Sequence, residues 1–191
     1  MIRIAILGDI GAGKSFVSKQ FNCPIFNADK EVAEIYKNDR SCFLKIKKAL
    51  PKYIISDHLN KKFLLKAVLD SKNNLKKISR IVHPIVRIRM NKFLIKNSSK
   101  KLVALDIPLY LENKLNRKGD VLIFVDAKRK DVQKRLKKRE YFNEKLYRNL
   151  KSFQLPLNKK KKLSNFVIKN TFNASKIKND VKNIKTEILN L

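Results

Sequence analysis

Tryptophan is absent from this chain of 191 residues, and glycine (4), proline (5), cysteine (2) and methionine (2) are scarce. Two cysteines, Cys23 and Cys42, cannot build a disulfide framework, and no metal-site spacing relates them. They read as reduced thiols of a cytosolic protein. Long apolar runs are also missing. The N-terminal stretch "MIRIAILGDI" is too short to span a membrane and lacks the small-residue cleavage site of a secretory signal. No stretch reads as a disordered linker, and no internal repeat is present. Acidic residues are few, 16 against 46 basic ones, for a formal net charge of +30.

Such a charge suits a polyanionic partner such as nucleic acid. The composition offers a plainer source. Lysine outnumbers arginine 36 to 10, and the chain also carries 19 Asn and 20 Ile, all residues of A/T-rich codons. Lysine is spread through every segment, whereas a nucleic-acid surface would use arginine freely and cluster it. The charge therefore reads as compositional, and neither a nucleic acid nor a membrane is expected as partner. Some positive field still favours any phosphate-bearing substrate. The length suggests one domain with a small insertion.

Three of the four glycines fall within Gly8–Gly13. The stretch Gly8-Asp9-Ile10-Gly11-Ala12-Gly13-Lys14-Ser15 fits G-x-x-x-x-G-K-[ST], with a strand predicted before it (2–7) and a helix after it (14–21). Such a turn needs backbone angles that a Cβ opposes. Its N–H groups then converge on a phosphate, assisted by the positive end of the helix. Lys14 would neutralise the β- and γ-phosphates and Ser15 would ligate Mg²⁺. The motif points to a nucleoside triphosphate and leaves the fate of its γ-phosphate open.

Further strands are predicted at 23–26, 101–108, 119–127 and 165–170, and helices at 28–37, 128–139, 143–153 and 174–190. Residues 40–98 give helical patterns only, near 40–49, 60–70 and 73–97, the last disturbed by Pro84. The run "NKKKK" (158–162) reads as low complexity. Strands alternating with helices predict an α/β fold: an open parallel sheet of about five strands with helices on both faces.

Transfer of a phosphoryl group to an alcohol calls for a carboxylate to orient or deprotonate the hydroxyl. Asp29 follows the second predicted strand, at the carboxyl edge where open α/β sheets bind ligands. It suits helix capping equally well. Asp106 ends the strand "LVALD" and fits a Mg²⁺ carboxylate, or a cap or turn residue. Arg135 and Arg139 share a helix face. They could meet a transferring phosphate together, or belong to a solvated basic face.

Together these residues resemble the dephospho-coenzyme A kinase family, from the first strand to about Asn170. "GDIGAGKSF" stands where that family has G-G-I-G-S-G-K-S-T, and "NAD" (27–29) where it has D-A-D. His83-Pro84 matches an H-P pair, "LDIPLYLEN" (105–113) matches D-[IV]-P-L-L-x-E, and Gln154 followed by "FVIKN" (166–170) matches a glutamine and a strand ending in Asn. The resemblance implies a P-loop kinase that phosphorylates the ribose 3′-hydroxyl of dephospho-CoA with ATP and Mg²⁺. It implies Asp29, Lys14 and Arg139 as catalytic residues. It implies nucleotide binding by Gly8, Gly11, Ala12, Gly13, Lys14, Ser15, Phe16 and Asn170, with Asn170 near the adenine. Asp29, His83 and Pro108 would meet the substrate, and Ser15 and Asp106 the metal. It further implies a core of about 1–39, 100–127 and 163–191, a helical CoA-binding insertion of about 40–99 and a lid of about 128–162, in a monomeric cytoplasmic enzyme.

The chain departs from the family at Asp9 (a glycine there), Phe16 (Thr), Asn27 (Asp), Ser164-Asn165 (A-D), and Lys61-Lys62 (often D-R). An outward-pointing Asp9 would cost little. Two other functions fit the loop: a different small-molecule kinase of this architecture, such as a nucleoside monophosphate kinase, and a basic nucleic-acid-binding P-loop protein.

Overall fold

A β-branched segment has nowhere to turn a polar face, so it is stable only with both faces covered. β1 (Ile2–Gly8) is such a segment: Ile4, Ala5 and Ile6 are fully buried. The structure, a computed structural model, describes residues 1–138 and 142–190, except the side chain of Lys61. In it β1 is the middle strand of a parallel five-stranded sheet in the order β2-β3-β1-β4-β5. Its neighbours are β3 (Leu102–Asp106) and β4 (Val121–Ala127), and Ile4 pairs with Ala104 on one side and Val121 on the other. β2 (Ile25–Asn27) pairs with β3, and β5 (Phe166–Asn170) with β4.

One face of the sheet is closed by α1 (Lys14–Gln20) and α9 (Ala174–Leu189). Val17 and Phe21 from the first helix segment, and Ile177, Val181 and Ile188 from α9, pack on Ile4, Ile6, Ile123 and Ile168. The α9 residues recur at helical spacing, and each fully buried side chain of this kind contributes about 1.5–3 kcal/mol. α6 (Arg129–Lys137) follows β4 and buries Val132 and Leu136.

The described chain divides into two compact units. The sheet unit comprises Met1–Asn27, Leu94–Phe142 and Lys151–Leu191. The helical unit comprises Ala28–Phe93 and Asn143–Leu150. The latter holds α2 (Ala28–Asn38), α3 (Arg40–Ala49), α4 (Lys61–Asp70), most of α5 (Lys72–Lys96) and most of α7 (Glu144–Lys151). Asp39 caps α3 by accepting a hydrogen bond from Cys42 N at 2.8 Å, and Arg89 of α5 pairs with Glu31 of α2 at 3.1 Å.

One local expectation changes. α5 runs through Pro84 without a break. A proline there removes the hydrogen bond to the carbonyl of Arg80, but both residues are exposed, so water can take its place. The lysine run at 158–162 lies in α8 (Leu157–Lys162), where Lys160 is buried.

Candidate active site

The sheet's middle strand delivers the glycine loop directly into α1. Gly8, Gly11 and Gly13 all have positive φ (146°, 83° and 93°). Space is as restrictive as backbone angle: a Cβ on Gly8 would lie 2.8 Å from the Val125 carbonyl oxygen, and one on Gly11 3.0 Å from Leu136. α1 begins at Lys14 with no side-chain cap. Phe16 N and Val17 N donate to the Gly13 carbonyl at 3.0 and 3.1 Å, and the amides ahead of them lie at the positive end of the helix. Lys14 Nζ donates to the Asp9 carbonyl at 2.8 Å and the Gly8 carbonyl at 3.3 Å, folding its ammonium over the loop. Ala12 is buried, Ser15 is exposed, and Phe16 is 39% exposed.

Asp9 does not project into solvent. Its side chain is 13% exposed, accepts a hydrogen bond from Ile10 N at 2.8 Å through Oδ1, and pairs through Oδ2 with Lys151 Nζ at 2.5 Å. Nothing in the sequence marked Lys151 as its partner.

Asn170 ends β5 as a buried side chain, donating to the Ala12 carbonyl and accepting from Phe172 N, both at 2.7 Å. It therefore shapes the loop itself. Arg135 of α6 is exposed, with its guanidinium 4.4 Å from the Phe172 ring centroid. Arg139 lies outside the described residues.

Asp106 and Asn27 end β3 and β2 in register, and Asn27 Nδ2 donates to Asp106 Oδ2 at 2.6 Å. Asp106 is buried. The turn after it carries half-buried Pro108 and is pinned at two points. At the first, Tyr110 Oη donates to Asp120 at 2.5 Å, and Asp120 also pairs with Arg3 of β1. Burial, then the bond to Asp120, pushes the Tyr110 phenol well above its usual range. At the second, Glu112 accepts from Leu155 N at 2.9 Å and pairs with Lys160 Nζ at 2.6 Å, with the Lys160 side chain 1% exposed.

A buried ion pair is costly to break. Lys160→Met should therefore lower stability by about 3–5 kcal/mol, by leaving Glu112 charged and unpaired. Lys160→Met with Glu112→Gln should recover most of that loss, since glutamine keeps the acceptor for Leu155 N. Urea unfolding of the two variants checks this, and equal instability of both would refute the pairing.

In the helical unit, Asp29 sits exposed in the first turn of α2, which follows β2 without an intervening loop. His83 is half-buried on α5. Burial, then the neighbouring Arg87 charge, lowers its pKa from 6.5, so the imidazole is neutral at pH 7. A cleft of about 560 Å³ in this unit is lined by Lys52, Lys62, Lys66 and Lys145, with Tyr53 donating to Asp70. Burial raises both thiols, Cys23 and Cys42, to about 11, which removes them as nucleophiles near neutral pH. Among the described residues no cluster of three or more His, Cys, Asp or Glu could hold a metal by itself.

The chain also matches known proteins. The profile of the family described as "Dephospho-CoA kinase" matches residues 2–176. The chain is 34% identical over 194 residues to the dephospho-CoA kinase of Wolbachia pipientis wMel, covering 98% of each protein. It is 32% identical over 186 residues to that of the Wolbachia of Brugia malayi, covering 95% of each. A crystal structure from Thermus thermophilus superimposes with a TM-score of 0.78 at 25% identity, covering 97% of both chains.

Proposed function

The chain belongs to the dephospho-CoA kinase family, and from that premise we propose that it transfers the γ-phosphoryl group of ATP to the ribose 3′-hydroxyl of dephospho-CoA, giving CoA and ADP. The observation that carries this reading is the family match over nearly the whole chain, together with a strand–loop–helix whose glycines and uncapped helix start suit a polyphosphate.

In this reading the amides of Gly11, Gly13, Lys14 and Ser15 hold the β- and γ-phosphates. Lys14 turns its ammonium from the loop carbonyls to the transferring group, where it offsets charge developing in the transition state. Asp29 aligns the 3′-hydroxyl and accepts its proton. Arg139 adds positive charge from the lid. Asn170 sits at the adenine side of the loop. His83, as a neutral imidazole, and Pro108 contact dephospho-CoA. The lysine-lined cleft of the helical unit suits the substrate's diphosphate.

Magnesium fits the residues present. Mg²⁺ takes one or two protein oxygens and completes its shell with phosphates and water. Ser15 offers an exposed hydroxyl, and Asp106 a carboxylate with one oxygen fixed by Asn27. Bound there, the ion would neutralise phosphate charge and orient the chain of phosphates. A cytoplasmic location belongs to the same proposal, since ATP is its substrate and Cys23 and Cys42 are free thiols.

The test is direct. Purified protein incubated with ATP, Mg²⁺ and dephospho-CoA should yield CoA, seen as the mass gain of one phosphate. Phosphorylation of a nucleoside monophosphate instead, with none of dephospho-CoA, would refute the assignment.

A further inference from the structure

The phosphate loop carries a carboxylate of its own. Asp9 lies between Gly8 and Ile10, inside the segment that must receive a highly anionic triphosphate. An acid there opposes the ligand unless its charge is cancelled. The structure shows how it is cancelled: Lys151 Nζ meets Asp9 Oδ2 at 2.5 Å, while Lys14 Nζ meets the Asp9 carbonyl at 2.8 Å. Two ammonium groups thus bracket one loop residue, one on its side chain and one on its backbone.

Lys151 is held in place for this. It ends α7, and its carbonyl accepts from Gln154 N at 3.0 Å. The next amide, Leu155 N, is tied to Glu112, which is itself locked to buried Lys160. The segment 151–160 therefore runs from the loop's carboxylate to a buried anchor within the sheet unit. The Asp9 side chain is 13% exposed and that of Lys151 38%, so the pair is partly shielded from solvent and salt.

We propose that Lys151 is the counter-ion that lets an acid-bearing phosphate loop bind a triphosphate: a positioning residue that neutralises Asp9 and leaves the loop amides and Lys14 to the nucleotide. The proposal rests on the ATP-binding reading above. It does not require dephospho-CoA to be the acceptor.

The experiment is equilibrium ATP binding by isothermal titration calorimetry, on wild type, Lys151→Met, Asp9→Asn and the double variant, with a thermal melt of each to verify folding. Lys151→Met should weaken ATP binding about tenfold or more, because an uncompensated carboxylate then faces the phosphates. Asp9→Asn should stay within about threefold of wild type, and the double variant should return to that range, the signature of coupling between the two side chains. A double variant as weak as Lys151→Met alone overturns the proposal, since it would mean that Lys151 acts on the nucleotide directly. Unchanged affinity in Lys151→Met overturns it as well. Wild-type protein that fails to bind ATP would bring down the parent reading with it. Failure of the rescue alone leaves that reading intact.

Discussion

Asp29→Asn is expected to lower the rate of CoA formation by about a thousandfold, with ATP affinity held within about twofold of wild type. The substitution preserves shape and removes only the ability to take a proton. Asparagine can still accept a hydrogen bond from a hydroxyl, so alignment survives in part while deprotonation does not. The alternative role for this residue predicts a different outcome. Asp29 stands with Glu31 in the first turn of α2, where acids interact favourably with the helix dipole. Loss of that interaction costs about 0.3–1 kcal/mol of stability and no chemistry. Single-turnover kinetics and a thermal melt on the same preparation therefore separate the roles. A modest drop in melting temperature with unchanged turnover would leave Asp29 as a helix residue and remove it from the mechanism.

What could be read from the sequence here was whatever depends on neighbours in the chain. The strands at 2–8, 102–106 and 121–127 were legible because a buried parallel strand must be apolar on both faces, and few other structures ask for that. The loop was legible because three glycines in six positions have a steric reason to be there. The Lys160–Glu112 pair was not. Four consecutive lysines carry no mark of which one will be buried, and only the folded turn after β3 brings Glu112 to it. The Asp9–Lys151 pair is more remote still, its members 142 positions apart. Asp9 was expected to matter little if it faced outward; its actual cost depends on a lysine that no local pattern selects. Pro84 shows the opposite failure. A strong local rule signalled a disturbance, and α5 passes through it because exposed backbone can bond to water.

Gly13→Ala should abolish measurable ATP binding and lower the melting temperature by roughly 10 °C. Gly13 has φ 93°, where an alanine costs about 1–2 kcal/mol in backbone strain. The added Cβ would also lie 2.4 Å from Asn170 Nδ2, a contact that cannot persist. Asn170 has little room to yield. It is buried, it donates to the Ala12 carbonyl, and it accepts from Phe172 N, so moving it strands polar groups worth about 1–3 kcal/mol each. The strain therefore opens the seam between the phosphate loop and the end of β5, where the amides must converge on phosphate. A second variant isolates the cause. Asn170→Ala added to Gly13→Ala removes the clash and leaves the backbone strain, so the double variant should melt higher than additivity of the two single losses allows. Strict additivity would mean that the two residues do not meet as described. Wild-type ATP affinity in Gly13→Ala would mean that this glycine is not required by the loop that holds the nucleotide.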